Sequence, residues 1–98
     1  MSIRVVASNF VREENVAEYL KLAAEIVEKT NALDAGCIIY SLNRSKQNPL
    51  EFAMIEEWET DDALAKHMQA AHFTDIIPKL NALCDPGKGG IAIYEKVY

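Results

Sequence analysis

Phe52-Ala53-Met54-Ile55-Glu56-Glu57-Trp58-Glu59 is followed, after Thr60, by Asp61-Asp62-Ala63-Leu64-Ala65-Lys66-His67, and His72-Phe73 comes shortly afterwards. The first segment has the length and composition of a β-strand, and it ends near a large aromatic residue. The second segment places apolar residues on one side of a helix, which Thr60 or Asp61 can cap. The stretch therefore predicts a strand leading directly into a helix that carries His67 on or beside its apolar side.

Similar patterns extend along the rest of the chain. They predict strands at 2–11, 37–44, 51–59 and 91–97, a helix at 14–32, and a helical region in two pieces after residue 60. Because Pro78 cannot donate a backbone hydrogen bond, we expect a kink or restart near Ile77. The order β-α-β-β-α-β predicts an α+β, ferredoxin-like fold, in which an antiparallel four-stranded sheet carries both helices on one face.

The first predicted strand is largely apolar on both faces. A strand with water on one side usually alternates apolar and polar residues. Helices on one face leave the other face uncovered, and an exposed apolar surface of that size predicts an interface. We therefore expect a homodimer in which two sheets pack face to face. The two faces of the strand carry Ile3, Val5, Ala7, Asn9 and Val11 on one side, and Arg4, Val6, Ser8 and Phe10 on the other.

Composition narrows the class of protein. The 98 residues predict a single domain over 1–98, and 50% of them are hydrophobic, which suits a packed core. The chain has ten basic and fifteen acidic residues, which give a net charge of −5. Because binding to phosphates requires clustered Lys and Arg, this balance argues against nucleic acid as a partner. No signal peptide or membrane-spanning run is visible. Cys37 and Cys84 lie in apolar neighbourhoods, so we expect buried free thiols in a reducing, cytoplasmic setting.

Two histidines could carry chemistry. His67 fits either a hydrogen-bonded histidine at the edge of the core, or a base or hydrogen-bond donor facing a ligand cavity between helix and sheet. His72 follows five residues later, roughly 140° around an ideal helix, so we expect that the two imidazoles do not share one metal ion. We predict no metal site, and a role for His72 at the junction of the helical pieces, with Asp75 as a candidate partner. No phosphate-binding loop is present, and we expect no cofactor.

Two adjacent glutamates fall on opposite faces of the predicted strand. Glu56 shares its face with Trp58, which we expect to anchor the core, and Glu57 lies on the other face. One of the two carboxyl groups must lie close to apolar surroundings, and desolvation would raise its pKa. An ion pair with a basic residue is the alternative, and the candidates are Arg4, Arg44 and Lys96.

The strand that ends near Trp58, the helix segment Ala63–Met68 and the pair His72-Phe73 resemble the antibiotic-biosynthesis monooxygenase family, over about Ile3 to Tyr98. The resemblance implies a dimeric α+β barrel. It also implies an activity like that of quinol monooxygenases, which oxidise electron-rich aromatic compounds without a bound cofactor.

Residue roles follow from the same resemblance. It implies that His67 lines the pocket and acts as a catalytic base, and that Asn9 helps to position the substrate, as an asparagine does in the haem-degrading branch. That branch ligates haem through a histidine at the position of Ile77, so ordinary haem ligation is not expected here. We expect substrate contacts from the aromatic residues Trp58, Phe10, Tyr40 and Phe73.

Three functions remain open. The first is the oxidation of a hydroxylated aromatic compound after its deprotonation. A phenol and a histidine differ by about 3.5 pKa units, or roughly 5 kcal/mol, so the pocket must also stabilise the oxyanion, with Asn9 as the candidate donor. The second is isomerisation of a small phosphorylated carbonyl compound, which requires a phosphate anchor; Arg4, Arg12, Arg44, Lys46 and Lys88 are the candidates. The third is a dimer that binds a small apolar ligand without catalysis.

Overall fold

The computed structural model describes residues 1–98. The order β-α-β-β-α-β is confirmed, with the second helical region divided into two helices. The elements are β1 (Ile3–Phe10), α1 (Val16–Leu33, after a single 3-10 turn at Glu13–Asn15), β2 (Cys37–Arg44), β3 (Glu51–Trp58), α2 (Asp61–Gln69), α3 (Ala71–Ala82) and β4 (Gly90–Glu95).

The four strands form one antiparallel sheet in the order β2-β3-β1-β4. In the register of β1 and β3, Val5 pairs with Glu56 and Ile3 pairs with Trp58, so these four side chains share a face. The helices cover this face, which confirms the ferredoxin-like α+β prediction.

The core lies between the helices and this sheet face. From α1, Tyr19, Ala23 and Ile26 are fully buried, and Ile76 and Leu80 of α3 are almost completely buried. The spacing of these residues, three or four positions apart, places them on one side of each helix. On the sheet they meet Val5, Phe52, Met54 and Trp58. Trp58 is 0% exposed, so the expectation that it anchors the core is confirmed.

The opposite sheet face remains apolar and accessible in the single chain. Ile39 of β2 is 45% exposed, Ile55 of β3 is 43% exposed and Tyr94 of β4 is 60% exposed. A register shift between Cys37 and Ile39 turns the start of β2, so Ile38 is exposed as well. None of the helices combines the length and hydropathy that crossing a bilayer would require.

The second helical region is interrupted at Ala70, and the prediction of a restart near Ile77 is wrong. Ala70 has extended dihedral angles, φ −66° and ψ 148°, and it ends α2 and begins α3. Its carbonyl oxygen accepts hydrogen bonds from the amides of Phe73 and Thr74. Pro78 lies inside α3, where it removes one backbone donor while the surrounding turns continue to Ala82.

A tight turn joins α1 to β2. Asp34 caps the C-terminus of α1 by donating its backbone N–H to the carbonyl of Thr30. Gly36 follows with φ +81°, a left-handed conformation that suits glycine. A Cβ atom at Gly36 would lie 2.6 Å from the Cβ of Ala63, so the turn packs directly against the first turn of α2. The turn therefore brings Asp34 close to α2.

Candidate active site

An apolar cavity of about 180 Å³ lies between the helix-facing side of the sheet and the helices α2 and α3. Tyr19 of α1 also borders it. Its walls include Val5 and Met54 from the sheet, Leu64 from α2, and Ile91 and Ile93 from the edge strand β4. Seven residues with polar side chains also line it: Ser8, Asn9, Tyr19, Tyr40, Glu56, His67 and Asn81. A largely apolar hollow with a few converging polar groups is the usual form of a small-molecule site.

His67 is one of the most deeply buried of these polar groups. Its imidazole lies 4.6 Å from the ring of Trp58, 5.0 Å from that of Phe73 and 5.1 Å from that of Tyr40, measured between ring centroids. Burial lowers the pKa of His67, although the neighbouring Asp34 carboxylate acts in the opposite direction. The imidazole is therefore neutral near pH 7.

Asp34 determines which nitrogen of His67 carries the proton. The Nδ1 atom of His67 lies 2.6 Å from Oδ2 of Asp34. A carboxylate oxygen can only accept, so Nδ1 donates its hydrogen and Nε2 keeps a free lone pair. Nε2 is buried and has no hydrogen-bond partner in the protein. His67 thus borders the cavity as an imidazole with an unused acceptor.

His72 reaches the same carboxylate oxygen. Its Nε2 atom lies 3.0 Å from Oδ2 of Asp34. The expectation that His67 and His72 point apart assumed one continuous helix, and the break at Ala70 removes that condition. His72 does join the two helical pieces, but through Asp34, because the carboxylate of Asp75 pairs with Lys79 at 3.3 Å.

Glu56 presents a buried carboxyl group to the cavity. It is 6% exposed, and its Oε1 atom accepts a hydrogen bond of 2.9 Å from Nε1 of Trp58. Burial raises the pKa of Glu56 to about 7, and the hydrogen bond from Trp58 opposes part of that rise. Glu57 lies on the opposite face, where Arg4 approaches it to 3.6 Å. Alternation along the strand predicted one carboxyl group in apolar surroundings, and Glu56 is that group.

Asn9 and Tyr19 form a polar pair at the cavity. Nδ2 of Asn9 donates to the hydroxyl oxygen of Tyr19 at 3.2 Å. Because this oxygen already accepts, the hydroxyl hydrogen of Tyr19 is free to donate elsewhere. Burial raises the pKa of Tyr19, so the phenol remains protonated near neutral pH. The sequence pattern placed Asn9 on the same face as Ile3 and Val5, and the structure shows that this face borders the cavity.

The aromatic residues predicted to contact substrate divide into three groups. Tyr40 and Phe73 line the cavity. Trp58 is fully buried and does not line the cavity, but it contacts His67 and Glu56, which do. Phe10 lies on the other face of the sheet, with Nζ of Lys88 6.0 Å from its ring centroid, so the structure does not bring it to the cavity.

Asp34 and Tyr19 are site residues that the sequence did not identify, and Asp34 is the one that lies beside both histidines. In the chain it reads as part of the turn after α1. One signal was present, because an acidic residue at a helix C-terminus is electrostatically unfavourable and calls for a compensating partner. Asp34 is far from His67 and His72 in the sequence, so the sequence does not show that these two residues are its partners. Together, Asp34, His67 and His72 offer three possible metal-ligand atoms within 4.8 Å of one another.

Comparisons with known proteins agree on the family. The family model described as antibiotic biosynthesis monooxygenase matches residues 2–79 of the chain. No protein with a curated description matches it.

Solved structures resemble the chain over almost its full length. A conserved protein from Methanosarcina mazei Go1 is 36% identical, with a TM-score of 0.93 over 99% of this chain and 94% of its own. A protein named antibiotic biosynthesis monooxygenase is 32% identical, with a TM-score of 0.89 over 98% of this chain and 99% of its own. A Caulobacter crescentus CB15 protein provisionally given the same name is 27% identical, with a TM-score of 0.92 over 99% and 91% of the two chains.

Proposed function

The chain belongs to the antibiotic biosynthesis monooxygenase family, and we propose that it oxidises a quinol or another hydroxylated aromatic compound with O2, without a cofactor. The observation that supports this most is the set of polar groups at one apolar cavity. A neutral imidazole, a carboxyl group of raised pKa and an amide–phenol pair all border it. Apolar walls suit an aromatic ring, and the polar groups suit its hydroxyl substituents.

The size of the cavity favours a small ring system. An engineered cavity of about 150 Å³ is large enough to hold benzene. The cavity here is slightly larger, about 180 Å³, so a single hydroxylated ring fits within it. A larger substrate would extend past Ile91 and Ile93 of β4, which are 73% and 57% exposed.

In the proposed mechanism, the free lone pair on Nε2 of His67 accepts the proton of a substrate hydroxyl. Asp34 holds the ring in the required tautomer through Nδ1. A phenol is the weaker acid by about 3.5 pKa units even against an unperturbed histidine, and burial lowers the pKa of His67 further. The transfer therefore depends on other groups that stabilise the resulting oxyanion.

The pair Asn9 and Tyr19 supplies that stabilisation, and Glu56 supplies a second proton acceptor. The hydroxyl of Tyr19, polarised by Asn9, and the remaining N–H of Asn9 can donate to an oxyanion. Glu56, with a pKa of about 7, is partly ionised at neutral pH and can accept a proton from a second hydroxyl. A para-quinol carries two hydroxyl groups, which suits two separate acceptors.

The substrate itself provides the electrons. Hydroquinone and one O2 give hydroxy-benzoquinone and one water, so one oxygen atom enters the ring and the other leaves as water. The deprotonated ring passes electrons to O2, and the two protons that end in water come from the quinol. The protein needs only to bind the ring, deprotonate it and exclude competing water.

Oxygen uptake with a panel of quinols tests the proposal. Wild-type protein should consume O2, and His67→Ala should lose about 10²-fold or more of the rate, because removing a general base usually costs that much. Lys66→Ala is the matched control, since Lys66 is the neighbouring residue and its side chain is 75% exposed in an ion pair with Asp62. Oxygen uptake equal to that of buffer across the whole panel would contradict the proposal.

The alternative functions have less support. A phosphorylated substrate needs a cationic anchor, and no Lys or Arg lines the cavity, whereas Glu56 would repel a phosphate. A binding protein without catalysis requires no base with a free lone pair. Tight binding of a quinol that is released unchanged in the presence of O2 would favour this third function.

We also propose a homodimer and a cytoplasmic location. The exposed apolar residues Ile39, Ile55 and Tyr94 on the uncovered sheet face support a dimer formed through that face. The thiols of Cys37 and Cys84 are free, although only Cys84 is buried, and free thiols suit a reducing compartment.

A further inference from the structure

Three side chains from separate parts of the chain meet beside the cavity. Asp34 ends α1, His67 lies in the last turn of α2 and His72 lies in the first turn of α3. Their side chains are 9%, 1% and 8% exposed, so the group is almost wholly withdrawn from solvent. Sequence spacing had suggested that the two imidazoles point apart, and the break at Ala70 is what allows them to converge.

The charge of this group is not balanced. The carboxylate of Asp34 has no Lys or Arg partner, and its ion-pair contacts are only the two imidazoles. The C-termini of α1 and α2 lie here as well, and their dipoles add negative potential. A buried carboxylate without a Lys or Arg partner in such a field attracts a cation.

The spacing of the atoms fits one metal ion. Two ligands about 2.1 Å from a transition metal lie about 3.0 Å apart at right angles and about 3.4 Å apart in the tetrahedral arrangement that Zn²⁺ prefers. Oδ2 of Asp34 lies 2.6 Å from Nδ1 of His67 and 3.0 Å from Nε2 of His72. The three donor atoms all lie within 4.8 Å of one another, so small side-chain adjustments would let them face a common centre.

We propose that Asp34, His67 and His72 form a binding site for one divalent transition metal ion, such as Zn²⁺, ligated by Oδ2, Nδ1 and Nε2 respectively. Two imidazoles and one carboxylate suit first-row transition metals. Mg²⁺ and Ca²⁺ prefer oxygen ligands, so the site discriminates against them.

Metal binding at this site reverses the hydrogen-bonding role of His67 at the cavity. Without metal, Nδ1 carries the hydrogen and Nε2 holds the lone pair. With a metal on Nδ1, the single hydrogen of the neutral ring must reside on Nε2, which is the buried nitrogen without a partner. The ring keeps the same number of protons but becomes a donor towards the cavity. This consequence rests on the proposed function: the ion removes the base, and it inhibits oxygen uptake.

Isothermal titration calorimetry on the metal-free full chain tests the site. Zn²⁺ should bind with one ion per chain, and Mg²⁺ should not bind. Asp34→Asn and His72→Ala should each weaken Zn²⁺ binding about tenfold or more. Asp75→Asn is the matched control, because Asp75 lies three residues after His72 on α3 but pairs with Lys79 in solvent. Circular dichroism of each variant verifies that it is folded.

Cys37 requires a separate control, because thiols bind Zn²⁺ and this residue is partly exposed. Cys37→Ser should retain the binding. Loss of binding in Cys37→Ser with retention in Asp34→Asn and His72→Ala would overturn the proposed ligand set. Absence of any Zn²⁺ binding by the folded wild-type chain would overturn the site itself.

Nitrogen NMR of the imidazoles tests this change in the tautomer of His67 without a measurement of activity. Zn²⁺ should convert His67 from the Nδ1–H to the Nε2–H tautomer, and an unchanged tautomer with metal bound would overturn it. Oxygen uptake then separates the two proposals. No uptake by the metal-free protein would refute the monooxygenase function while the calorimetry still decides the metal site. Uptake that Zn²⁺ leaves unchanged or increases would refute the inhibitory role.

Discussion

Glu56 and Glu57 are adjacent in the chain, yet their carboxyl groups lie in opposite surroundings. Glu56 is enclosed between the sheet and the helices, and Glu57 meets Arg4 on the uncovered face. Alternation along a strand predicts that one of two consecutive residues is buried, but it does not label the faces. The hydrogen bond from Trp58 and the pairing with Tyr40 and Val5 identify the buried one only in three dimensions.

The burial of Glu56 predicts a pH-dependent stability. Its pKa is raised from 4.5 to about 7 in the folded state, so its contribution to stability is fully present below pH 4.5 and is lost as pH rises through 7. The loss corresponds to about 3 kcal/mol. Relative to wild type, Glu56→Gln should therefore gain about that much free energy of unfolding between acidic and mildly alkaline pH. Urea denaturation across this range measures the difference.

Glu57→Gln is the matched control for that measurement. The carboxyl group of Glu57 lies on the open face of the sheet, and its partner Arg4 is half exposed. The free energy of unfolding of this variant should therefore change with pH almost as that of wild type does. The free energies of unfolding of Glu56→Gln and wild type should diverge as pH rises. If they change in parallel instead, the carboxyl group of Glu56 is not buried in apolar surroundings.

His67 and Asp34 differ in how far sequence could identify them. The helical spacing of Leu64 and His67 places an imidazole beside the apolar side of α2, and the structure has it there. Its partner comes from a turn 33 positions earlier in the chain. No local pattern specifies a contact across that separation, so the tautomer of His67 could be assigned only from the fold.

Among the secondary-structure elements, the helices show where local rules succeed and where they fail. Thr60 caps α2 as its sequence predicts, accepting a hydrogen bond from the amide of Ala63 at 3.1 Å. Pro78 was expected to interrupt the second helical region, whereas the chain breaks at Ala70. Alanine has a high helix propensity, so tertiary contacts, including those of His67 and His72 with Asp34, outweigh it at this position.

The turn between α1 and β2 predicts a strong effect of one added methyl group. Gly36→Ala would force a side chain into φ +81° and bring its Cβ to 2.6 Å from that of Ala63. Strain and overpacking together should lower the free energy of unfolding by about 2–4 kcal/mol. Gly87→Ala is the control, because its Cβ would meet no atom within 4 Å. Equal stability of the two variants in urea would contradict this close packing of turn and helix.

For the whole molecule, the alternating patterns predicted the order of elements and the ferredoxin-like sheet, because each depends on local periodicity and chain order. The cavity could not be predicted in the same way. It depends on the lateral position of α2 and α3 over the sheet, which leaves Ile91 and Ile93 of β4 uncovered. Phe10 illustrates the limit, since alternation along β1 placed it opposite Asn9 but did not indicate which of the two faces borders the cavity.

The uncovered sheet face predicts self-association. Ile55→Glu places a charge in the middle of that face, where Ile55 is 43% exposed in the single chain, and should convert the proposed dimer into a monomer. Leu20→Glu is the control, because Leu20 is similarly exposed, at 38%, but lies on α1. Sedimentation velocity distinguishes the two species. A monomeric wild-type chain at micromolar concentration, or a dimer that survives Ile55→Glu, would contradict an interface at this face.

A crystal structure of the protein with hydroquinone, prepared without oxygen, tests the proposed site most directly. The ring should occupy the cavity between the sheet and the helices, with one hydroxyl oxygen about 2.6–3.2 Å from Nε2 of His67. The second hydroxyl should lie near Glu56. Hydroquinone bound on the opposite sheet face, or bound in the cavity with both hydroxyl groups directed away from His67 and Glu56, would contradict the assignment of these residues as proton acceptors.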